Sequence, residues 1–362
     1  MIQEVLDSLH FIHNLSYGRV ALIVVSNDEI IDIHVHFGAP KDEESGCFWS
    51  KEFTQTAAYY AMLLMAKSLF KKINIERIRK HLLSAINGSE YVNKSVLLAM
   101  DQVYDEKDGI PLADMTHLYV PNGYIAKVAR EEERVLFGAS VHPYRKDWND
   151  ELDYCLEKQA VLCKWIPSSQ LINPSRSQCV PFYRKLADHN LPLLCHCGPE
   201  YTIPTSLHVY NEYNNPKYLR TALDEGVTVI VAHCSLPYFG ILDVEYQDDF
   251  EEFIRLFDRA ERNGWSLYAD LSALCTPLRA PYIDDIQNHV PAERLLFGSD
   301  YPIPLFELSY NKSTNFLSWL KFILQVAKMK NPLDKNYLLI RGMKFGDSVF
   351  TNAVELFSKI RY

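Results

Sequence analysis

The chain has 362 residues, 48% of them hydrophobic, and a formal net charge of −9 from 46 acidic and 37 basic side chains. An acidic chain without a basic cluster argues against nucleic acid and anionic membranes as partners. Its eight cysteines are scattered through apolar segments, and its most apolar stretch is shorter than the roughly 20 residues that span a bilayer. We therefore expect a cytoplasmic protein, without a membrane partner, that acts on a small-molecule substrate.

Eight short runs rich in Val, Ile and Leu recur along the chain and predict strands. Continuous apolar runs, as opposed to alternating ones, are typical of parallel strands that are buried on both faces. The runs cover residues 30–36, 95–101, 134–142, 160–166, 191–196, 227–233, 266–271 and 294–300.

Segments with helical periodicity separate most of these runs. The clearest covers residues 247–263, with phenylalanines at helical spacing, acidic residues in its first turn and Gly264 directly after it. Further helices are predicted over residues 122–133, 149–158, 175–190 and 216–226. Eight strands alternating with helices predict an α/β fold, a (β/α)8 TIM barrel, as a single domain over residues 1–362.

Two segments depart from the repeating order of strand and helix. Residues 37–94, after the first strand, are far longer than one crossover helix needs, and residues 54–72 and 75–87 within them have helical patterns. We interpret residues 37–94 as a helical insertion above the first strand, acting as a lid or a subunit contact. After the eighth run, residues 312–327 and 347–360 predict extra C-terminal helices.

The first strand ends in two histidines that can ligate a metal. His34 and His36 stand two residues apart, and side chains at i and i+2 of a strand point to the same face. Two imidazoles on one face form half of a transition-metal site. The alternative is that both are core histidines bonded to backbone carbonyls, which is the usual role of a single buried histidine.

Asp300, at the end of the eighth strand, can complete such a site. The first and last strands of a barrel are neighbours, so residues far apart in sequence meet there. A carboxylate after an apolar run is costly to bury unless it is paired or bound to a metal. The other interpretation of Asp300, a helix cap, is weakened by Pro302 and Pro304.

Two further histidines end the fifth and sixth strands. His196 lies between Cys195 and Cys197, which raises the alternative of a Cys-x-Cys metal site. Pleating opposes that alternative, because both cysteines point to the helices if His196 points into the barrel. His196 is therefore predicted as the third ligand. His233, which follows Val-Ile-Val-Ala, could be a ligand, an acid/base group or a core histidine.

Three other polar residues near strand ends have more than one interpretation. Lys164, on the fourth strand, could be a surface lysine, a cationic clamp for a substrate carboxylate, or a CO2-carboxylated bridge between two metal ions. His142, at the end of the third run, is placed to contact a substrate or a second metal, but a structural role fits it equally well. The role of Asp270 is similarly open.

These motifs together resemble the amidohydrolase superfamily. The matching residues are His34-x-His36 on the first strand, His196 on the fifth, His233 in Val-Ala-His-Cys on the sixth and Asp300 in Leu-Leu-Phe-Gly-Ser-Asp-Tyr-Pro on the eighth. The last two motifs are similar to those of the amidohydrolase-related branch. That branch includes hydrolases, lactonases and decarboxylases such as aminocarboxymuconate semialdehyde decarboxylase.

The resemblance implies a site and a cofactor. One divalent metal ion, most often Zn2+, would be held by four side chains, namely His34, His36, His196 and Asp300. Beside it, His233 would act as an acid/base group or polarise the substrate. A second ion is implied only if Lys164 is carboxylated. Many members of the branch are dimers, so the resemblance is compatible with a homodimer.

The predicted site supports three hypotheses about function. The first is hydrolysis of an amide, lactone or ester bond in a small polar metabolite, with metal-activated water, Asp300 as proton carrier and His233 stabilising the oxyanion. The second is metal-dependent, non-oxidative decarboxylation of a small carboxylated substrate at the same site. The third is a non-catalytic barrel used for binding. That hypothesis predicts a degraded site, whereas every expected ligand position here is filled.

Overall fold

Eight parallel strands form the central sheet of the molecule. The computed structural model describes residues 29–68, 72–205, 212–236, 247–276, 279–303, 305 and 316–362. The strands are β1 (Ile31–His36), β2 (Lys94–Leu98), β3 (Val135–Ala139), β4 (Leu162–Trp165), β5 (Leu193–Cys195), β6 (Val229–Val231), β7 (Leu267–Asp270) and β8 (Leu295–Leu296). Each strand pairs in parallel with the next along the chain. The predicted (β/α)8 barrel is confirmed.

The ring of strands closes through the residues that follow β8. The Ile33 amide donates to the Phe297 carbonyl at 3.1 Å, and the Asp300 amide donates to the His34 carbonyl at 2.9 Å. The His36 amide donates to the Tyr301 carbonyl at 2.8 Å. Because β8 itself has two residues, it is this extension that lies along β1 and places Asp300 beside the two histidines.

The register of β1 shifts between Asp32 and Val35. Ile31, before the shift, and Ile33, within it, pack with alternate residues of the other strands and with Val354 near the C-terminus. Alternate residues from strands around a ring meet only inside a barrel, so this cluster is its interior. A β-bulge re-aims the side chains that follow it, and here those side chains are the histidines of the candidate site.

Twelve α-helices are described besides the strands. In chain order, α1 to α12 are Ala57–Met65, Ile75–Asn87, Asn122–Glu131, Trp148–Glu157, Pro167–Gln170, Val180–Asp188, Arg220–Asp224, Gln247–Asn263, Ile283–His289, Phe316–Lys328, Pro332–Gly342 and Asn352–Ser358. No helix among the described residues is both long and apolar enough to cross a bilayer.

Most helix predictions are confirmed, some with shorter bounds. α2 and α8 have the predicted ends, and both ends of α2 carry clear signals, since the Asn74 side chain accepts from the Arg77 amide and Gly88 follows its last residue. The helix predicted over residues 54–72 ends at Met65, and residues 69–71 lie outside the described part of the chain. The extra C-terminal helices predicted over residues 312–327 and 347–360 are present as α10 and α12, with the unpredicted α11 between them, although residues 312–315 lie outside the described part of the chain.

The predicted insertion over residues 37–94 contains α1 and α2, as expected, together with a short strand. That strand, Phe48–Trp49, pairs antiparallel with Leu118–Tyr119, which lies between β2 and α3. Two-residue strands are too short to show a periodicity from which this ribbon could be predicted. The ribbon ties the insertion to the barrel on the side where the strands end.

Candidate metal centre

Three predicted ligands converge at the carboxyl end of the barrel. The His36 Nε2 atom lies 3.1 Å from His34 Nε2 and 3.1 Å from Asp300 Oδ1. The His34 Nε2 atom lies 3.6 Å from the same carboxylate oxygen. One donor atom from each residue falls within 4.8 Å of the others, in the one group of this kind among the described residues. Imidazole nitrogens and carboxylate oxygens are the ligands that zinc takes in catalytic sites.

Asp270, whose role the sequence left open, orients this cluster. Its Oδ2 atom accepts a hydrogen bond from His34 Nδ1 at 2.8 Å, which leaves the Nε2 lone pair of His34 directed at the cluster. Burial alone would raise the pKa of Asp270, but neighbouring His34 and hydrogen bonds from His34, Ser272 and His233 hold it below its usual value. Asp270 therefore stays a carboxylate, as a partner of a metal-binding histidine does.

Asp32 and Gly298 hold together the two segments that carry the predicted ligands. The Asp32 Oδ1 atom accepts from the Ser299 amide at 2.9 Å and from the His34 amide at 3.1 Å. A Cβ on Gly298 would lie 3.0 Å from the His34 Cβ, so glycine permits the close approach of the β8 extension. Asp32 and Gly298, which flank the predicted ligands in sequence, thus keep the end of β1 and the residues after β8 in close contact.

His196 and His233 form the opposite side of the site. Their ring centroids lie 4.6 Å apart, and the His233 ring lies 5.7 Å from that of His34. The Nε2 atom of His196 and the Nδ1 atom of His233 are buried and have no hydrogen-bond partner among the described residues. Glu200 Oε2 is 3.3 Å from His196 Nε2, but in an orientation that makes no hydrogen bond.

Burial keeps both of these histidines neutral. It lowers the pKa of His196 to about 4. Burial, followed by the charge of Arg279, lowers the pKa of His233 well below its usual value. A neutral imidazole is the form that can ligate a metal. His196 nevertheless lies outside the 4.8 Å group of His34, His36 and Asp300, so its role as a ligand stays a prediction.

The backbone at His233 is left-handed over three consecutive residues. The φ angles of His233, Cys234 and Ser235 are 41°, 52° and 54°. Such angles cost about 1–3 kcal/mol each in non-glycine residues and cluster at functional sites. The Asp270 Oδ1 atom accepts from the His233 amide at 2.8 Å and helps to hold this conformation. Asp270 thereby connects both sides of the site.

Lys164 belongs to the site, which rules out a surface lysine. Its side chain is buried, with a relative exposure of 1%, and its Nζ atom lies 3.1 Å from His34 Nε2. Burial lowers the pKa of this amine. The two remaining interpretations, a substrate clamp and a carboxylated bridge between two ions, both place Lys164 near the cluster.

The predicted contact of His142 with a substrate or second metal is not supported by its geometry. The Nε2 atom donates to the Gln170 carbonyl at 2.8 Å, and Nδ1 accepts from the Tyr144 amide at 3.1 Å. No ring nitrogen is left for a ligand. His142 instead joins the loop after β3 to the end of α5, which is the structural alternative considered for it.

Two residues of the site were not predicted from the sequence. A cavity reaches the cluster, and its polar lining includes Glu200 and Arg279 beside His36, His196, His233 and Asp300. Glu200 stands four residues after His196 and is buried, while Arg279 follows β7 with 3% of its surface exposed. The acidic residue four positions after a predicted ligand is a usable sequence signal for Glu200. Nothing in the sequence distinguishes Arg279 from a surface arginine.

Comparison with known proteins adds a family and a fold. A family model described as amidohydrolase matches residues 92–318, which include Lys164, His196, His233 and Asp300. No curated protein matches the sequence.

Three solved structures with the same architecture are distant from this chain in sequence. One is a protein from Staphylococcus aureus that is assigned as an amidohydrolase. It is 12% identical, and the match covers 91% of this chain and 99% of that chain with a TM-score of 0.54. An uncharacterised TIM-barrel protein from Bordetella bronchiseptica is 15% identical, and the match covers 91% of this chain and 99% of that chain with a TM-score of 0.53. The third is a protein from Acinetobacter baumannii that is assigned as a 2-pyrone-4,6-dicarboxylic acid hydrolase and has citric acid bound. It is 14% identical, and the match covers 91% of this chain and 99% of that chain with a TM-score of 0.52. At these identities the similarity shows a shared barrel fold.

Proposed function

Because this chain belongs to the amidohydrolase family, and is thus an enzyme of the metal-dependent hydrolase type, we propose that it hydrolyses an amide, lactone or ester bond of a small molecule with one Zn2+ ion. The observation that carries the proposal is the convergence of His34, His36 and Asp300 at the carboxyl end of the barrel. Catalytic groups of TIM-barrel enzymes lie at this end.

The residues present fit a divalent ion. Two imidazoles and a carboxylate already approach one another, and His196 adds a neutral ring with an unpartnered, buried Nε2 atom. We propose that the ion is held by these four side chains, namely His34, His36, His196 and Asp300. When bound, a zinc ion lowers the pKa of water at the site to about 7 and so supplies a nucleophile near neutral pH.

The protein side chains then carry the proton transfers and stabilise charge. Asp300 accepts the proton of the attacking water and passes it to the leaving group. Burial would raise the pKa of Asp300, but His34 and His36 beside it hold the pKa low, so Asp300 is a carboxylate. His233, in the tautomer protonated at Nδ1, donates a hydrogen bond to the oxygen that becomes negative in the tetrahedral intermediate.

Lys164 decides whether a second ion is held. Carboxylation requires a neutral amine, and burial lowers the pKa of Lys164 toward that form. The Nζ atom contacts the same His34 nitrogen that would ligate the first ion, which is the position a bridging group needs. We propose a single ion for the unmodified lysine and a second ion only after carboxylation.

The metal site is tested by elemental analysis of the purified protein. We expect about one zinc per chain, and we expect the double variant His34→Ala, His36→Ala to lose it, because half of the ligands are removed. His289→Ala, an exposed histidine on α9, is the matched control and should keep the metal. Unchanged metal content in the double variant would overturn the site.

The reaction is tested with a panel of amides, lactones, esters and carboxylated rings. Acid release from one of the first three classes, dependent on added Zn2+, is the expected result. CO2 release without net hydrolysis would identify a decarboxylase and contradict the proposal.

A further inference from the structure

The cavity that reaches the metal centre has two unlike walls. One carries the polar and charged side chains of the site. Apolar residues of the loops after β5 and β8 also line the cavity. The second wall, called the apolar wall below, consists of Phe53, Ala58, Ala61 and Met62 from the insertion, with Leu118 and Ile166. Four of these six residues come from the one segment, residues 37–94, that the barrel itself does not require. The insertion therefore supplies most of the apolar wall.

The apolar wall is held in place by contacts of its own. Phe53 is fully buried and stacks on Trp49, with ring centroids 5.8 Å apart and planes at 29°. Trp49 pairs with Leu118 in the two-stranded ribbon. At the start of α1, the Thr56 side chain accepts from the Tyr59 amide and caps the helix. The wall is thus formed before any substrate binds, which lowers the entropy lost on binding.

Met62 contacts the chain directly beyond the metal ligands. A Cβ on Gly38, two residues after His36, would lie 2.7 Å from Met62 Cε and 2.8 Å from Sδ. Glycine at position 38 therefore makes room for the methionine thioether. Because Met62 lines the cavity as well, its side chain lies between the loop after β1 and the space open to a substrate.

We propose that this wall binds an apolar alkyl or aryl group of the substrate and that Met62 is a specificity-determining residue. The inference rests on the proposed function and narrows its substrate from a small molecule in general to an amphipathic acid derivative. A polar group against this wall would lose its hydrogen bonds to water without replacement. An apolar group there gains about fourfold in affinity for each CH2 buried, which is about 0.8 kcal/mol.

The first test uses hydroxamates, which share one metal-binding head and differ in their tails. Calorimetry with zinc-loaded protein would compare acetohydroxamate, butanohydroxamate, hexanohydroxamate and benzohydroxamate. We expect affinity to rise by about sixteenfold from the acetyl to the butanoyl compound if both added CH2 groups are buried. Met62→Ser should reduce that gain without changing the affinity for acetohydroxamate, and Met62→Leu should restore it. Equal affinity for all tails in the wild-type protein would overturn the proposal.

Leu64→Ser is the matched control for Met62→Ser. Leu64 lies on the same helix with 55% of its surface exposed, and it does not line the cavity. We expect its tail dependence to equal that of the wild type. Thermal unfolding of each variant would show whether it is folded, so that a weaker dependence of affinity on tail length is not caused by unfolding. An equal loss of tail dependence in both variants would contradict a specific role for Met62.

A second test does not depend on the metal. Protein with 13C-labelled methionine methyl groups would be stripped with EDTA and titrated with benzyl alcohol, and Met62→Leu would assign the Met62 signal. A shift of that signal supports the apolar wall even if the zinc analysis fails, in which case only the proposed function is lost. An unmoved Met62 signal overturns the inference, whatever the metal content.

Discussion

The two sides of the barrel mouth differ in how their polar atoms are satisfied. On the side of β1 and β8, His34 contacts Asp270, His36 contacts Asp300, and backbone hydrogen bonds close the ring. On the side of β5 and β6, His196 and His233 each keep one buried ring nitrogen without a hydrogen-bond partner among the described residues. Leaving such a group unpaired costs about 1–3 kcal/mol. The side of β1 and β8, called the anchor side below, therefore has its polar atoms paired already. Among the described residues, the side of β5 and β6 keeps ring nitrogens that are free to bind a ligand.

Asp270 keeps these two sides in one geometry. One oxygen of its carboxylate accepts from the His34 ring, and the other accepts from the His233 amide. A single buried side chain thus fixes both a proposed metal ligand and the strained segment that carries the proposed oxyanion donor. The comparison therefore predicts different losses for variants on each side, and a combined loss for Asp270.

The largest effect is expected from Asp300→Asn, on the anchor side. The amide cannot accept the water proton, and general acid–base catalysis contributes about 10²–10⁴-fold, so kcat should fall by that order. Metal affinity should fall as well, because one anionic ligand is lost. The exposed Asp258→Asn on α8 is a control for the loss of one negative charge. Near-normal turnover in Asp300→Asn would show that Asp300 is not the proton carrier.

The next largest effect separates the two histidines of the opposite side. His233→Ala should keep its zinc but lose about 10²–10³-fold in kcat, as expected for the removal of one oxyanion donor. His196→Ala should lose zinc affinity, because its free Nε2 atom is the proposed third nitrogen ligand. Zinc titration and steady-state kinetics on both variants would check this. An equal loss of zinc affinity in the two variants would indicate that His233 is a ligand as well.

A smaller effect, shared by both sides, is expected from Asp270→Asn. Mutation of a carboxylate that orients a metal-binding histidine typically costs about 10–100-fold in metal affinity. Because the same residue supports the His233 backbone, kcat of the zinc-saturated variant should also fall. Competition with a zinc chelator, followed by kinetics at saturating zinc, distinguishes the two losses. A variant that loses metal affinity alone would show that the sides are not coupled through Asp270.

The sequence predicts the anchor side well because its signals are local. The spacing of His34 and His36, and the place of Asp300 after an apolar run, are visible in single segments. Once a barrel is predicted, the adjacency of its first and last strands brings the three residues together. The register shift in β1, which aims the histidines, has no comparable signal. Asp270 could not be assigned because its partner His34 is 236 residues away.

The fold shows the same division between local and distant information. The amphipathic α8 was predicted to its ends, whereas α11, Pro332–Gly342, was missed. Seven of the eleven residues of α11 are buried, including Asp334 and Asn336, so no polar face marks it as a helix. The β8 extension is similar, because its pairing with β1 depends on the closed ring and not on its own residues.

The smallest effect is expected from Glu200→Gln, beside the uncommitted nitrogens. Glu200 Oε1 accepts from the amides of Thr202 and Ile203, and a glutamine oxygen can accept the same bonds, so the loop should keep its fold. Its other oxygen makes no hydrogen bond to His196, so kcat and zinc affinity should change by less than about fivefold, the equivalent of about 1 kcal/mol. Steady-state kinetics and zinc titration measure both. A loss of a hundredfold would make Glu200 an acid/base group, and the proton transfers assigned to Asp300 would have to be shared across the two sides.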